Sequence, residues 1–357
     1  MLLAGVAASQ LKSAEKGVSF PSDVNRYSDP LTSIDVYRLT SPEYSTTMPA
    51  YYNRGIARNS AWMLCCCDRG GSAQAFHLDL KSGEMKQLTQ VEGLDGTTLT
   101  LTPDNHSFCF TAGRSVWLAP AAGGPREREI YRIAEGWERA GGISLGPDGT
   151  HVTLVERRGE TSRLRMVALA GGAARTVIEA GGGMTDPIAR PMRAQILYRQ
   201  AEDAIWMINM DGTQNRRLKL AAGGVGTPNW STDGRTLLYL NFPEDKTQLN
   251  NLREFSPDAG ADKLIGKTSQ FSSFGANRDA SVFVGASRNN ASPAVLLFVR
   301  AAHSERTLCE HKSRAEWVAP VFAPDSQRIY FQGDRHGKPA IYCMHIEKLV
   351  EKTDAAG

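Results

Sequence analysis

The chain has 357 residues, 41% of them hydrophobic, with 41 Lys and Arg against 38 Asp and Glu. That length and apolar content suffice for a sizeable core, and the near balance of charge gives no electrostatic reason to expect a nucleic-acid or membrane-surface partner. No run approaches the ~18 apolar residues of a membrane-spanning helix, and the six cysteines, three of them consecutive at Cys65, Cys66 and Cys67, show no zinc-like spacing and read as small buried thiols.

Residues 1–9, MLLAGVAAS, look like the end of a signal-peptide apolar region without its basic start. An exported or periplasmic protein follows if that reading holds, and a disordered tail on a cytoplasmic one if it does not. Residues 10–32 are polar and aperiodic, so 1–32 is expected to be an extended leader. Residues 34–40, IDVYRLT, read as a strand. From there one template recurs: a short strand, a turn with Asp or Asn, an alternating strand, a polar loop, and two more strands.

The turns fall at Arg58-Asn59, Pro103-Asp104, Pro147-Asp148, Pro191-Met192, Thr232-Asp233, Arg278-Asp279 and Pro324-Asp325, spaced 41–46 residues apart. That is the period of a four-stranded propeller blade. The expectation is therefore an all-β, seven-bladed β-propeller over residues 33–350, with 351–357 as a tail. The seventh unit lacks a fourth strand, and residues 34–40 are expected to supply it and close the ring. A closed ring has no exposed strand edges there. In such a ring the loops between blades and between second and third strands share one face, the default place for a ligand.

Phe322, Pro324, Asp325, Asp334, His336, Gly337, Pro339 and Tyr342 resemble the last-blade pattern of the oligogalacturonate lyase family, whose repeats are WD40-like and TolB-like. The entry strand Val36-Tyr37-Arg38-Leu39-Thr40-Ser41-Pro42, the Tyr51-Tyr52 pair, Trp206-Met207-Ile208-Asn209 and Trp230 with Asp233-Gly234 extend the likeness to residues 34–348. The resemblance implies a seven-bladed propeller that breaks short galacturonate oligomers by β-elimination in pectin breakdown. It also implies a divalent metal such as manganese, held by histidines near the starts of inner strands. At the corresponding positions this chain has Pro228, Phe274, Trp317 and Ala319. The expectation drawn from that departure is a degenerate site with no metal ligands and no cofactor.

Elimination from a uronate requires that its carboxylate be neutralised and that a base take the adjacent proton. Arginines can do the first. Arg54, Arg139, Arg157, Arg288, Arg314, Arg335 and Lys338 are the cations expected on the channel face. Arg314 and His336 are the catalytic choices, with bracing of the blade the alternative for His336. The loop at 241–248 offers Asn241 and Gln248, with Asn251 beyond it, to sugar hydroxyls. Trp317 offers a stacking face, and aromatic packing between blades is its alternative. Gly142-Ile143-Ser144-Leu145-Gly146 fits a nucleophile elbow in letters alone, because a turn and a strand follow it instead of a helix. Two functions stay open: a lyase acting on acidic oligosaccharides, or a non-catalytic propeller that binds a glycan or a protein partner through the same face.

Overall fold

A computed structural model describes residues 15–124, 127–201 and 204–346. The signal-like residues 1–9 and the tail 351–357 lie outside the described residues. Seven antiparallel sheets are present, five of four strands and two of five. Blades 2 to 6 run in simple meander order, each beginning with a channel-lining strand: Leu94–Leu101, Glu138–Leu145, Met184–Ala189, Gly224–Trp230 and Phe271–Ala276.

The repeating turns have a repeating cause. The Asp side chain accepts the backbone N–H two residues on, at 2.9 Å for Asp104 and His106, 3.0 Å for Asp148 and Thr150, and 3.0 Å for Asp325 and Gln327. Asn59 does the same for Ala61. Such side-chain turns are what Asp and Asn favour at a strand-to-strand corner. The fourth blade has no acid there, and exposed Met192 turns the chain with φ of 59° instead.

The first and last blades are joined through the N-terminus. Asp35–Arg38 pairs with Ala340–His345, in the register Tyr37 to Cys343 and Arg38 to Tyr342. The ring closes as the incomplete seventh repeat required. The stretch read as a leader contributes more than length: Ser19–Phe20 adds a fifth strand to blade 1, and Asn25–Ser28 a fifth to blade 7. These strands are too short and polar to show a period. They are held by contacts distant in sequence, among them Asp29, which is 1% exposed and accepts the Glu310 N–H at 3.1 Å.

The core is seven apolar clusters, each spanning one pair of neighbouring blades. Leu64 of blade 1 meets Leu99 and Phe108 of blade 2, and Leu240 of blade 5 meets Phe283 of blade 6. All six cysteines are buried and unpaired within these layers, as their apolar settings led one to expect. Burial pushes the Cys66 and Cys109 thiols up to about 12, so they stay protonated and inert. Among the described residues no helix is long and apolar enough to cross a membrane.

Candidate functional site

The inner strands do not run straight. Each of the five complete ones bulges at the same level. Asp186 and Pro187 stand opposite the single residue Tyr198, and Thr227 and Pro228 opposite Tyr239. Ala140, Gly141 and Gly142 stand opposite Val155. Bulges re-aim side chains and are common beside sites. Here they carry positive φ at Gly141 (76°), Asp186 (48°) and Thr227 (41°). For a β-branched threonine that region is a true outlier, costing on the order of 1–3 kcal/mol.

The bulges gather charge at one end of the channel, where the inner strands start. A cavity of about 530 Å³ there is lined by Tyr51, Tyr52, Asp95, Arg139, Asp186 and Arg199, with Thr227 beside them. Arg139 pairs with Asp95 at 2.5 Å, and its Nε is buried without a partner, as is the Thr227 hydroxyl. Arg199 donates to the Val225 carbonyl at 3.0 Å. Asp186 accepts the Gly142 N–H at 3.2 Å. Tyr51 and Tyr52 enter on residues 48–55, where blade 1's channel-side strand leaves Thr46–Thr47 and swings into the channel. The rings meet edge to face, with centroids 5.0 Å apart. Burial first, with the negative charge of Asp186 acting the same way and Arg199 opposing it at Tyr51, pushes both phenols well above their ordinary range, so both are neutral donors at physiological pH.

Of the residues expected to form the site, Arg139 alone lies in this cavity. Asn241 and Asn251 are together, the Asn251 amide donating to the Asn241 Oδ1 at 3.2 Å, but Asn241 is 3% exposed and its own amide donates to the Ala222 carbonyl at 2.8 Å. Gln248 is exposed and donates to Asp245 at 3.3 Å. Arg288 lies over the Phe242 ring at 5.3 Å. Arg157 is exposed at the end of its strand. Arg314 is exposed at the start of the short helix Ala315–Val318, on which Trp317 is 38% exposed. Arg335 is locked inside, donating to the Glu310 carbonyl at 2.7 Å and the Tyr27 hydroxyl at 3.2 Å. The His336 ring packs on Tyr27 and Tyr342 and shares a 2.9 Å hydrogen bond with the Tyr342 hydroxyl, toward the blade's outer strands. Lys338 faces Asp68 at 3.7 Å.

Arg54 was expected on the same face and lies at the opposite end. Its guanidinium donates to the carbonyls of Thr102 and Pro103, at a turn where inner strands finish. The direction of the chain explains this: residues 48–55 run down the channel beside the inner strand of blade 2, with the Ala50 N–H on Thr97 and the Leu101 N–H on Arg54. Asp95, Asp186, Arg199 and Thr227 were not chosen as site residues from sequence, and Tyr52 entered only as part of the Tyr51-Tyr52 pair that carries the family resemblance. For Asp95, Asp186 and Thr227 the signal was the break in alternation at Asp95-Gly96, Asp186-Pro187 and Thr227-Pro228.

The fold and this cavity define a seven-bladed propeller whose channel end brings two arginines, two carboxylates and two tyrosines together. The chain is similar over nearly its whole length to oligogalacturonate lyases. It is 22% identical over 94% of its residues to the oligogalacturonide lyase of Pectobacterium atrosepticum and, over the same share, to the oligogalacturonate lyase of Dickeya dadantii, covering 99% of each. Among solved structures, an oligogalacturonate lyase in complex with manganese superposes with a TM-score of 0.88 at 23% identity, over 95% of this chain and 100% of that one. The oligogalacturonate lyase of Vibrio parahaemolyticus gives 0.86 at 20%, over 94% and 100%. No family model matches the chain.

The manganese complex overturns the expectation of a cofactor-free protein. That expectation rested on four replaced positions, and the loss of particular histidines does not establish the loss of metal. Among the described residues no group of three or more His, Cys, Asp and Glu converges as ligands. Of the two channel acids, Asp95 is already bound to Arg139 and Thr97. The chemistry below is written for the chain's own side chains.

Proposed function

We propose that the protein is a lyase acting on short acidic oligosaccharides of the oligogalacturonate type, and that the start-side cavity is its reaction site. The observation that carries this reading is the convergence of Arg139, Arg199, Asp186 and Tyr52 around the inner-strand bulges. A uronate carboxylate bound by Arg199 and the unpartnered Arg139 Nε has its charge spread, which acidifies the C5–H bond. Asp186 is the base for that proton. The C5–H electrons form the C4–C5 double bond, the C4–O bond breaks, and the neutral Tyr52 phenol protonates the departing oxygen. The products are an unsaturated uronate and a shortened sugar with a new hydroxyl. Arg288, Arg314 and Trp317, exposed on the same face, would touch the outer sugar units.

The names of the similar proteins support the substrate class, and the bulge geometry supports the residues. Ultraviolet absorbance of the unsaturated product from di- and trigalacturonate tests it, with and without added manganese. Arg199→Ala and Asp186→Asn should each lower turnover by about 10²–10³-fold, whereas Arg314→Ala should act mainly on KM and His336→Ala, whose ring packs on Tyr27 and Tyr342, should leave both kcat and KM nearly unchanged. Substrate binding by calorimetry without product under either metal condition would make the propeller a glycan-binding module. Neither binding nor product would overturn the reading.

A further inference from the structure

We propose that the opposite mouth of the channel is a second binding site, for a small aromatic carboxylate that carries a hydroxyl. A cavity of about 650 Å³ opens there, at the end where the inner strands finish and turn. Ala50 and Tyr51 line both cavities, so the segment at 48–55 forms a wall between them. The size is that of a small-molecule site, but the lining differs in kind from that of the first cavity. Ala276, Val321, Phe322 and Pro324 give it part-exposed apolar surface that suits a flat apolar body, and Asn229 and Thr232 add polar groups beside it.

The charge there is one-sided. Arg54, Arg58 and Arg278 line the same cavity. Burial first, and the neighbouring Arg58 charge second, draw the Arg54 guanidinium down to about 10, with Asp104 acting weakly the other way. Asp104 is itself held by the Thr102 hydroxyl at 2.7 Å and the His106 N–H at 2.9 Å. Among the described residues no carboxylate pairs with Arg58 or Arg278, whereas most arginines of the ring are paired or bonded to carbonyls. Uncompensated cations beside an apolar wall favour an anion whose remainder is apolar. Asn53 adds the last element. Its amide donates to the Thr97 carbonyl at 3.3 Å, while its Oδ1 is buried with no donor. A ligand hydroxyl would satisfy it.

Calorimetry on the full chain with 6-hydroxy-2-naphthoate, 2-naphthol and digalacturonate tests the site. Expected are one naphthoate per chain, at least tenfold tighter binding than naphthol, and no displacement by digalacturonate. Arg58 and Arg278 are exposed, so the Arg58→Ala, Arg278→Ala double variant should fold and should bind naphthoate at least tenfold more weakly. Arg139→Ala, in the other cavity, should bind it unchanged. Absence of naphthoate binding, equal affinity for naphthol, or an unchanged affinity in the double variant would each overturn the proposal. Loss in Arg139→Ala, or displacement by digalacturonate, would place the ligand in the first cavity and overturn it equally. These outcomes are read by binding alone and do not depend on whether the first cavity is catalytic.

Discussion

His311 shows how a single side chain ties stability to pH. It is 2% exposed, its Nε2 donates to the Ser287 carbonyl at 2.9 Å, and its Nδ1 accepts the Ser313 N–H at 3.1 Å. Both nitrogens are thereby used by the neutral ring, and a second proton would sit against the Ser313 N–H. Burial lowers its pKa below the ordinary 6.5, outweighing the backbone bonds that raise it. The unfolded chain therefore binds protons that the folded one refuses. The contribution is fully present above pH 6.5 and is lost as pH falls from there through the folded value. His77 and His151, also lowered by burial, act in the same sense. Urea midpoints should fall between pH 7.5 and 5, and His311→Gln, which keeps a neutral donor and acceptor, should make that fall shallower. An unchanged slope would show that His311 does not contribute.

The inner strands are the elements on which function and fold pull apart. Gly142 is fixed by this conflict: a Cβ there would lie 1.9 Å from the Tyr52 hydroxyl. Gly142→Ala should leave a folded ring, because the displaced atom is the end of a side chain that can swing. It should also move Tyr52 out of place and cost turnover on the order of 10²-fold. Melting temperature and turnover measured on the same preparation check this, and equal activity would remove Tyr52 from the site.

The same elements explain what was legible in the sequence. Second and third strands, such as Arg328–Gly333 and Ala340–His345, are regular and half-buried, and their turns carry Asp at a fixed place, so the blades could be read. The channel strands place the residues of the proposed site where the alternation of a strand is broken, at Gly141-Gly142, Asp186-Pro187 and Thr227-Pro228. A reading based on period passes over such positions. It turns instead to the polar loops, where Arg335 and His336 proved to be committed to Tyr27 and Tyr342. Arg139, one of the seven cations expected on the channel face, stands beside a bulge and not inside one.

For the molecule as a whole, the seam between the first and last blades governs integrity. Removal of residues 1–33 would take away Ser19–Phe20, Asn25–Ser28 and the Asp29 contacts but leave Asp35–Arg38 in place. Removal of residues 1–42 would open the ring and expose Ala340–His345 along its full edge. The shorter deletion should lower the melting temperature by several degrees with one cooperative transition retained. The longer one should give aggregation or a broad transition. Comparable melting curves for the two would show that the seam is not what holds the ring.

The seam also fixes an order of events. The Ile341 N–H bonds to the Thr40 hydroxyl, 301 residues back along the chain. During translation at about 5–20 residues per second, the early strand waits roughly 15–60 s before its partner has been made. Through that interval its hydrogen-bonding groups are unmatched while six blades stack in succession, each able to nucleate on the one before. The final joint must then find an end that has been free since the beginning, the slowest kind of contact for a chain to make. A nascent chain stalled before residue 340 should be protease-sensitive at its N-terminus even when its middle blades are already resistant, because the strand that finishes the circle is among the first to be made and the last to be used.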